Sequence, residues 1–542
     1  MVEGGVSDAA LSNSPTVDVE QRLAAVIAEM DRVTAERDQY KKLYLEMLEL
    51  CRKLERGIVG PKREKLSPND AQVTMSLLGM LLGREAANVP APVVEEIRSH
   101  TRHKPTGRRP LPEDLPRVDL EVLPPEVQRG GLDAFDRIGE DVTETVEWRR
   151  ASSVVVRMHK PKFAPKGRDR TAETKILQAE PPELPIPRSI AGPGLLAETV
   201  IRRWLDHMPL HRMERMFARG GLPLSRSTIC GWHFQLAELV KPLITAMWQD
   251  ALTAPYLCSD ATGVLVQALE KCRRGHFWVV AAPEKHVLFA YTPKHDGAAV
   301  DDLLAGYKGT LVVDAHAVYN HLFQSGDIVE AGCWAHARRY WWKALETDPD
   351  RARQALAFIG ALFKLERANA TAPPDQRLAV RKLEANPIVE KYFAWCDAEV
   401  DRVLDETPSA KAIAYSRNQR VALSRFLEDG RIPIHNNFSE KELRREAIGR
   451  RNWTFLGTDD AGEVNAAFTT LIASCQLHEI EPGGYMRDLF CLLPSWSARR
   501  VLELAPAYWN KTLEQQDTQQ RLAANVYRRV ALGEFDEHLP SK

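Results

Sequence analysis

The strongest constraint on the fold lies in residues 256–313, where short runs of branched and aromatic residues alternate with turn residues. Such runs predict strands, and the longer amphipathic segments that follow predict helices. Together they predict an α/β domain over residues 251–480, with a helical insertion at 340–430. The predicted strands are Tyr256–Ser259, Gly263–Ala268, Phe277–Ala282, Val287–Thr292 and Thr310–Val313. The predicted helices lie near 297–305, 439–447 and 462–477.

Two aspartates follow predicted strands of this domain. Asp260 comes after Tyr256–Ser259, and Asp314 comes directly after Thr310–Val313. A carboxylate at the end of a buried strand is costly unless it is paired or binds a cation. Two of them converging on one spot would offer the hard oxygen ligands that Mg²⁺ prefers. Alternatively, either aspartate alone could cap the helix that follows its strand.

A third acidic residue, Glu440, lies in the first turn of the helix that opens after His435-Asn436-Asn437. Arg444 is four residues further on and shares its helix face, and Lys441, Arg445, Arg450 and Arg451 add positive charge. A metal-binding carboxylate beside cations that hold a phosphate backbone suits phosphoryl transfer. The alternative is a capping box followed by an ordinary helix salt bridge.

The N-terminal half contains a heptad pattern and a basic linker. After a polar start, apolar residues recur at alternating steps of four and three over residues 19–54, with Arg37 as the one charged interruption. This pattern favours a coiled-coil dimer over a single amphipathic helix. This gives an N-terminal coiled coil at 1–60 and a helix with a proline-rich basic linker at 61–126. The linker could follow a DNA minor groove or be plain solvated chain. The heptad residues are Val19, Leu23, Val26, Met30, Val33, Tyr40, Tyr44, Met47, Cys51 and Leu54.

A basic β region and a helical DNA-binding region are expected next. Residues 127–180 contain two predicted strands, at 143–148 and 152–158, and residues 149–170 carry eight basic residues against Asp169. In a chain with a formal net charge of −1, this density indicates a phosphate-contacting surface rather than a merely solvated face. The basic residues are Arg149, Arg150, Arg157, Lys160, Lys162, Lys166, Arg168 and Arg170.

Residues 181–250 have the pattern of a helix-turn-helix. Helices are predicted at 195–207, 210–218 and 225–239, with glycines before the last of them. Ser225 or Ser227 could cap that helix, and Arg226 with Thr228 would then face a DNA groove. Many helical hairpins share this pattern without touching DNA. A C-terminal helical tail is expected over 481–542.

Several of these segments resemble the insertion-sequence-66 family of bacterial DDE transposases. The resemblance also covers the heptads, residues 60–66 and residues 103–117, and so most of the chain. It implies a ribonuclease-H-like fold with Asp260, Asp314 and Glu440 as the catalytic triad, and it places His336 near the active site. The motifs that carry it are Asp260 after its strand, Val313–Asn320, Cys333–Arg339, Asp429–Glu440, Leu443-Arg444 and Gly449–Trp453.

The sequence departs from this family pattern in three places. Members usually carry a cysteine-rich zinc ribbon between the linker and the helix-turn-helix, whereas residues 101–200 contain no cysteine, so no zinc is expected there. Cys333 and His336 form a C-x-x-H pair without an evident second half-site, so zinc is not expected there either. The positions filled by Ala261 and His435 are usually acidic in the family. None of these changes removes a triad carboxylate.

The resemblance implies a two-metal enzyme that uses Mg²⁺ or Mn²⁺ to cut DNA at terminal inverted repeats and join the 3′ ends to target DNA. Partners would be double-stranded DNA, a second copy of the chain and accessory proteins encoded by the same element. The rivals are a domesticated or inactive transposase that only binds DNA, and a nuclease of other purpose. Scattered cysteines without a C-x-x-C pair favour a reducing cytosol, and no apolar run is long enough to span a membrane. The resemblance implies a bacterial cytoplasmic, nucleoid-associated protein.

Overall fold

The computed structural model of the protein describes residues 26–34, 37, 162–163, 177–178, 183–219, 222–269 and 271–534. Residues 26–34 are helical, and the heptad residues Val26, Met30 and Val33 are exposed on that helix. The strands Lys162–Phe163 and Leu177–Gln178 pair in antiparallel fashion. The rest of the predicted coiled coil, the linker at 61–126 and the strands predicted at 143–158 lie outside the described residues.

One five-stranded mixed sheet organises the described part of the chain. Its strands follow the order β3-β2-β1-β4-β5, with β1 to β3 antiparallel and with β4 and β5 parallel to β1. The α/β class predicted from the strand pattern is therefore confirmed. The strands are β1 (Tyr256–Val266), β2 (Arg273–Ala282), β3 (His286–Thr292), β4 (Gly309–Val312) and β5 (Ile328–Ala331).

Two details of the strand prediction were wrong. The segments predicted as separate strands at 256–259 and 263–268 form the single strand β1, because β2 pairs with it continuously from Cys258 to Val266. Asp260 therefore lies inside a strand rather than at its end. Strand β5 was missed because its four residues, Ile328–Ala331, include a glutamate and carry almost no periodic signal.

Helices cover both faces of the sheet. On one face, Phe277, Val279 and Phe289 pack with Leu443 and Ala473 of two long helices, α11 (Asn437–Trp453) and α12 (Asp459–Leu477). On the other face, Trp278, Val280 and Leu288 join a core shared with the N-terminal helices and with α4 (Gly297–Leu303). A 3₁₀ segment, Ala317–Gln324, follows β4. The sheet is thus the middle layer of three.

The helices predicted for the 181–250 region are present, as α1 (Pro193–Trp204), α2 (Leu210–Arg219) and α3 (Arg226–Ala251). The C-terminal segment packs directly onto them, with Leu489, Leu504 and Trp509 in the same core. It consists of α13 (Pro482–Leu492), α14 (Pro506–Leu513), α15 (Gln516–Ala524) and α16 (Val526–Ala531), with 3₁₀ turns at Leu493–Ser495 and Ala498–Leu504.

The helical insertion folds around a core of its own, centred on Trp334, Trp341, Phe358 and Tyr392. It begins directly after β5 and returns the chain to α11. No helix within the described residues is long and apolar enough to cross a membrane. The insertion comprises α5 (Trp334–Ala344), α6 (Pro349–Ala368), α7 (Pro374–Val380), a π-helical turn at Arg381–Ala385, α8 (Asn386–Glu399), α9 (Pro408–Asn418) and α10 (Arg420–Ser424), with 3₁₀ turns at Val400–Arg402 and Arg425–Leu427.

Candidate active site

Asp260 and Asp314 lie level with each other on neighbouring parallel strands. Strand β1 pairs with β4 up to Cys258↔Val312, and each aspartate lies two residues beyond that pair. Because side chains two residues apart along extended chain share a face, the register directs both carboxylates toward the same side of the sheet. The sheet thus brings together two residues that are distant in sequence.

Burial dominates the electrostatics of Asp260. Its pKa is raised from 3.8 to about 7, chiefly by loss of solvent and also by the negative charges of Asp314 and Glu440. The Ala261 N–H, which donates to Asp260 Oδ1 at 2.7 Å, and the charge of Arg339 act in the opposite direction. The three predicted carboxylates are therefore close enough to interact, together with one arginine.

Glu440 reaches this cluster from the first turn of α11, where a negative side chain is favoured by the partial positive charge of the helix end. Its Oε2 accepts a hydrogen bond from Arg339 Nη2 at 3.2 Å, and its Oε1 lies 3.7 Å from His336 Nδ1. Arg339 Nη1 donates in turn to His336 Nε2 at 2.9 Å. His336, predicted to support the site, thus contacts Glu440 through both its own ring and Arg339.

Asn436 ties the start of α11 to the sheet. Its side-chain Nδ2 donates to the carbonyl of Ser259 at 2.7 Å, next to Asp260, and its backbone N–H donates to Cys333 Sγ at 3.2 Å. Its Oδ1 accepts from the Ser439 hydroxyl. Asn436 is fully buried, so these bonds replace the water it loses. The Asn436 side chain therefore joins β1 directly to the start of the helix that carries Glu440.

The donor set suits a hard divalent cation. Three carboxylates supply oxygen ligands, and Glu440 Oε1 is buried with no hydrogen-bond partner among the described residues. An unsatisfied buried carboxylate oxygen is costly unless a cation is near it. Cys333, His336 and Glu440 also have ligand atoms within 4.8 Å of one another. Burial raises the pKa of the Cys333 thiol to about 11, which keeps it in the protonated form that binds metal poorly.

The cations predicted on α11 occupy different environments. Arg444 and Arg451 are exposed. Arg450 instead turns inward, where its Nη1 donates to Thr262 Oγ1 at 3.1 Å and to the carbonyl of Gly263. Arg450 thus anchors α11 to β1, while Arg444 and Arg451 are accessible to a ligand.

The helix-turn-helix residues lie at the exposed start of α3. Ser225 is the cap, since its Oγ accepts from Thr228 N at 3.1 Å. The Thr228 hydroxyl is within 2.8 Å of Ser225 Oγ, and the Arg226 N–H donates to Glu214 Oε1 at 3.1 Å. The Arg226 guanidinium is accessible. Of the basic residues predicted to contact phosphates at 149–162, Lys162 falls in a short strand, and Arg149, Arg150, Arg157 and Lys160 lie outside the described residues.

Sequence reasoning did not assign roles to Arg339 and Asn436. Both stand inside the motifs quoted above, Cys333–Arg339 and Asp429–Glu440. The available signal was the clustering of polar residues in those motifs around Cys333 and Glu440. What it could not supply was the pairing between them, because Arg339 and Asn436 lie 97 positions apart on either side of most of the insertion.

Comparison with known proteins decides the family. A sequence model described as "Transposase IS66 family" matches residues 188–464, slightly more than half of the chain. The chain belongs to the IS66 family of transposases. A second model, described as "Transposase C of IS166 homeodomain", matches residues 46–120. Members of the family act in transposition, and DDE transposases in general use divalent metal ions.

Curated relatives match over most of their length. The uncharacterized proteins y4hP and y4qI of Sinorhizobium fredii (strain NBRC 101917 / NGR234) are 28% and 27% identical to this IS66-family chain, over 490 and 514 residues. The alignments cover 85% and 91% of this chain, and 88% and 93% of the relatives. The similarity therefore extends beyond the domain that the first family model covers.

Proposed function

We propose that this IS66-family protein is an active DDE transposase in which Asp260, Asp314 and Glu440 form the metal-binding triad of a ribonuclease-H-like core. The observation that carries the proposal is the convergence of the three carboxylates. Strand register places the two aspartates side by side, and the charge of Glu440 acts on Asp260 across the sheet edge. The mixed five-stranded sheet with helices on both faces supports the fold assignment.

Two divalent ions, Mg²⁺ or Mn²⁺, would be held by these carboxylates and would supply an activated water and a stabilised 3′-oxygen leaving group. The protein's own groups then have distinct tasks. The two aspartates are rigid because the sheet holds them, and Glu440 closes the site from α11. Exposed Arg444 and Arg451 would hold the DNA backbone along the same helix.

DNA recognition would use surfaces away from the carboxylates. Arg226 and Thr228 at the start of α3 would meet base edges of the terminal inverted repeats. The basic stretch at 149–170 would contact phosphates, as would the homeodomain-like segment matched at 46–120. Target DNA would enter the same active site once the element ends are cut.

The active form would be at least a dimer, because two element ends must be held together. The exposed apolar residues Val26, Met30 and Val33 on the N-terminal helix support a coiled-coil contact between two copies. Accessory proteins encoded by the same element would complete the assembly. The expected location is the bacterial cytoplasm, in association with the nucleoid. No structural zinc is expected.

The test is a metal-dependent cleavage assay on DNA carrying the element ends, comparing wild type with Asp314→Asn. This substitution keeps the shape but removes a metal-binding charge, so cleavage should fall by orders of magnitude while binding in a gel-shift assay persists. Asp302→Asn, at an exposed aspartate on α4, is the matched control and should cut normally. Unchanged cleavage by Asp314→Asn would refute the triad. A wild type that binds the ends but never cuts them with Mg²⁺ or Mn²⁺ would instead favour a DNA-binding protein derived from a transposase.

A further inference from the structure

Arg339 places a positive charge beside Glu440, where the proposed metal site would hold a metal ion. On α5, its Nη2 lies 3.2 Å from Glu440 Oε2, and its charge also acts on Asp260. The guanidinium is thus a cation within a cluster of three carboxylates. A guanidinium has hydrogen-bond donors only, so it can neutralise these carboxylate oxygens but cannot bind a metal ion itself. A metal ion at the same position would be repelled by its positive charge.

His336 strengthens this arrangement. Its Nε2 accepts from Arg339 Nη1 at 2.9 Å, so in the neutral ring the proton is on Nδ1, which faces Glu440 Oε1. Arg339 therefore holds Oε2 of Glu440 by a hydrogen bond, and the His336 ring that orients Arg339 lies beside Oε1. The Arg339 contact would have to change before Glu440 could bind a metal ion through both oxygens.

Arg339 can leave this position without unfolding the helix. About a third of its side chain is exposed, at 35%, against 25% for Glu440. The long arginine side chain can swing outward from α5 while its backbone stays in place. Outside the carboxylate cluster, its fork of donors matches the geometry of a phosphate.

We infer that Arg339 is a placeholder cation, which holds Glu440 in the metal-free protein, competes with divalent metal for Glu440 Oε2, and moves to a phosphate of bound DNA when metal loads. This rests on the proposed triad. It makes Arg339 a positioning residue and couples the two ligands. DNA gives the guanidinium a new partner, so DNA should tighten metal binding, and by reciprocity metal should tighten DNA binding.

The test measures Mn²⁺ binding to the full-length protein by electron paramagnetic resonance, without any cleavage readout. In Arg339→Gln, Mn²⁺ should bind the DNA-free protein on the order of tenfold more tightly than in wild type, since the competing charge is gone. An element-end duplex should increase Mn²⁺ affinity in wild type and leave it unchanged in Arg339→Gln. Arg425→Gln, at an arginine paired with Glu428 in the same insertion, is the matched control and should behave as wild type.

Arg339→Lys provides a second route if the glutamine variant fails to fold. Lysine keeps the charge but lacks the two-nitrogen fork with which Arg339 contacts Glu440 and His336, so Mn²⁺ affinity should rise by a smaller factor. Equal or weaker Mn²⁺ binding in both variants would overturn the placeholder role. If Asp314→Asn abolishes Mn²⁺ binding while Arg339 variants match wild type, only this inference fails. If wild type binds no Mn²⁺ with or without DNA, the inference fails together with the proposed triad.

Discussion

The two aspartates and the glutamate of the candidate site are held in place in different ways. Asp260 and Asp314 are 54 residues apart and are aligned by the register of β1 with β4, which main-chain hydrogen bonds specify. Glu440 arrives after the helical insertion, on α11, which β1 contacts through side chains. Asn436 and Arg450 make those contacts.

This difference indicates that the two aspartates are the rigid part of the site and that the position of Glu440 can change more easily. Shifting Asp260 requires a change in the pairing of β1 with its neighbours, and Asp314 lies only two residues beyond the end of β4. Shifting Glu440 requires only that a few side-chain contacts change. The glutamate is therefore the member of the trio that substitutions at a distance should disturb.

The largest expected effect is on the insertion that delivers Glu440. Arg381 is 1% exposed and binds both carboxylate oxygens of Glu366 at 2.7–2.8 Å, and it donates to the carbonyls of Phe426 and Asp429. Arg381→Ala leaves the Glu366 carboxylate without its cationic partner and should destabilise the insertion by about 3–5 kcal/mol. Urea denaturation would measure this, with exposed Lys382→Ala as the matched control. If Arg381→Ala lowered the free energy of unfolding no more than Lys382→Ala does, the insertion would not depend on this ion pair.

The stability of the protein is expected to depend on pH through Glu446, which lies on the same helix as Glu440. Glu446 is buried on α11, where loss of solvent raises its pKa from 4.5 to about 7, against hydrogen bonds from Asn465 and Thr469 that lower it. The folded state thus favours the protonated form. Its contribution is fully present below pH 4.5 and is lost as the pH rises through about 7.

Glu446→Gln should remove that pH dependence. The variant should match wild type near pH 5 and be more stable at pH 8, by up to roughly 3 kcal/mol. Urea midpoints at the two pH values would measure the difference. Glu463→Gln, at an exposed glutamate on the neighbouring helix α12, should show no such change. A Glu446→Gln variant that lost stability equally at both pH values would contradict the raised pKa.

The Asn436 contact gives the most direct test of whether side chains position Glu440 while strand pairing positions the aspartates. Asn436→Ala leaves the Ser259 carbonyl without its side-chain donor, and should cost about 1–3 kcal/mol. Cleavage should fall about a hundredfold, because a displacement of roughly 1 Å is enough at a reacting centre. The adjacent, exposed Asn437→Ala is the control. Normal cleavage by a folded Asn436→Ala would mean that Glu440 is positioned without it.

The smallest effect is expected beneath the aspartates. The Tyr319 hydroxyl lies 3.0 Å from Ser259 Oγ, close to Asp260. Tyr319→Phe should cost about 1 kcal/mol and leave cleavage near wild type, because the strands hold the aspartates. A double-mutant cycle with Ser259→Ala would isolate this pair. A large loss of cleavage would show that the aspartates depend on side-chain support as much as Glu440 does.

Much of the fold was readable from local sequence. The strands and helices of 251–480 were predicted because β-branched runs and amphipathic periods report on burial within a few residues. Capping signals also worked, as with Ser225 before α3. Strand β5 was missed, since four residues with one glutamate carry too little periodicity. The continuity of β1 was missed as well, because it depends on β2 as a partner.

The sequence by itself determined the α/β class, the position of Asp314 just after its strand, and the place of Glu440 at a helix start. Those features depend on neighbours in the chain. Only the tertiary structure decided that Arg339 would meet Glu440, that Asn436 would reach Ser259, and that Arg450 would face β1 rather than solvent. These contacts join residues about 100 to 190 positions apart. Their geometry is set by how the insertion and the sheet pack, which no local pattern of residues encodes.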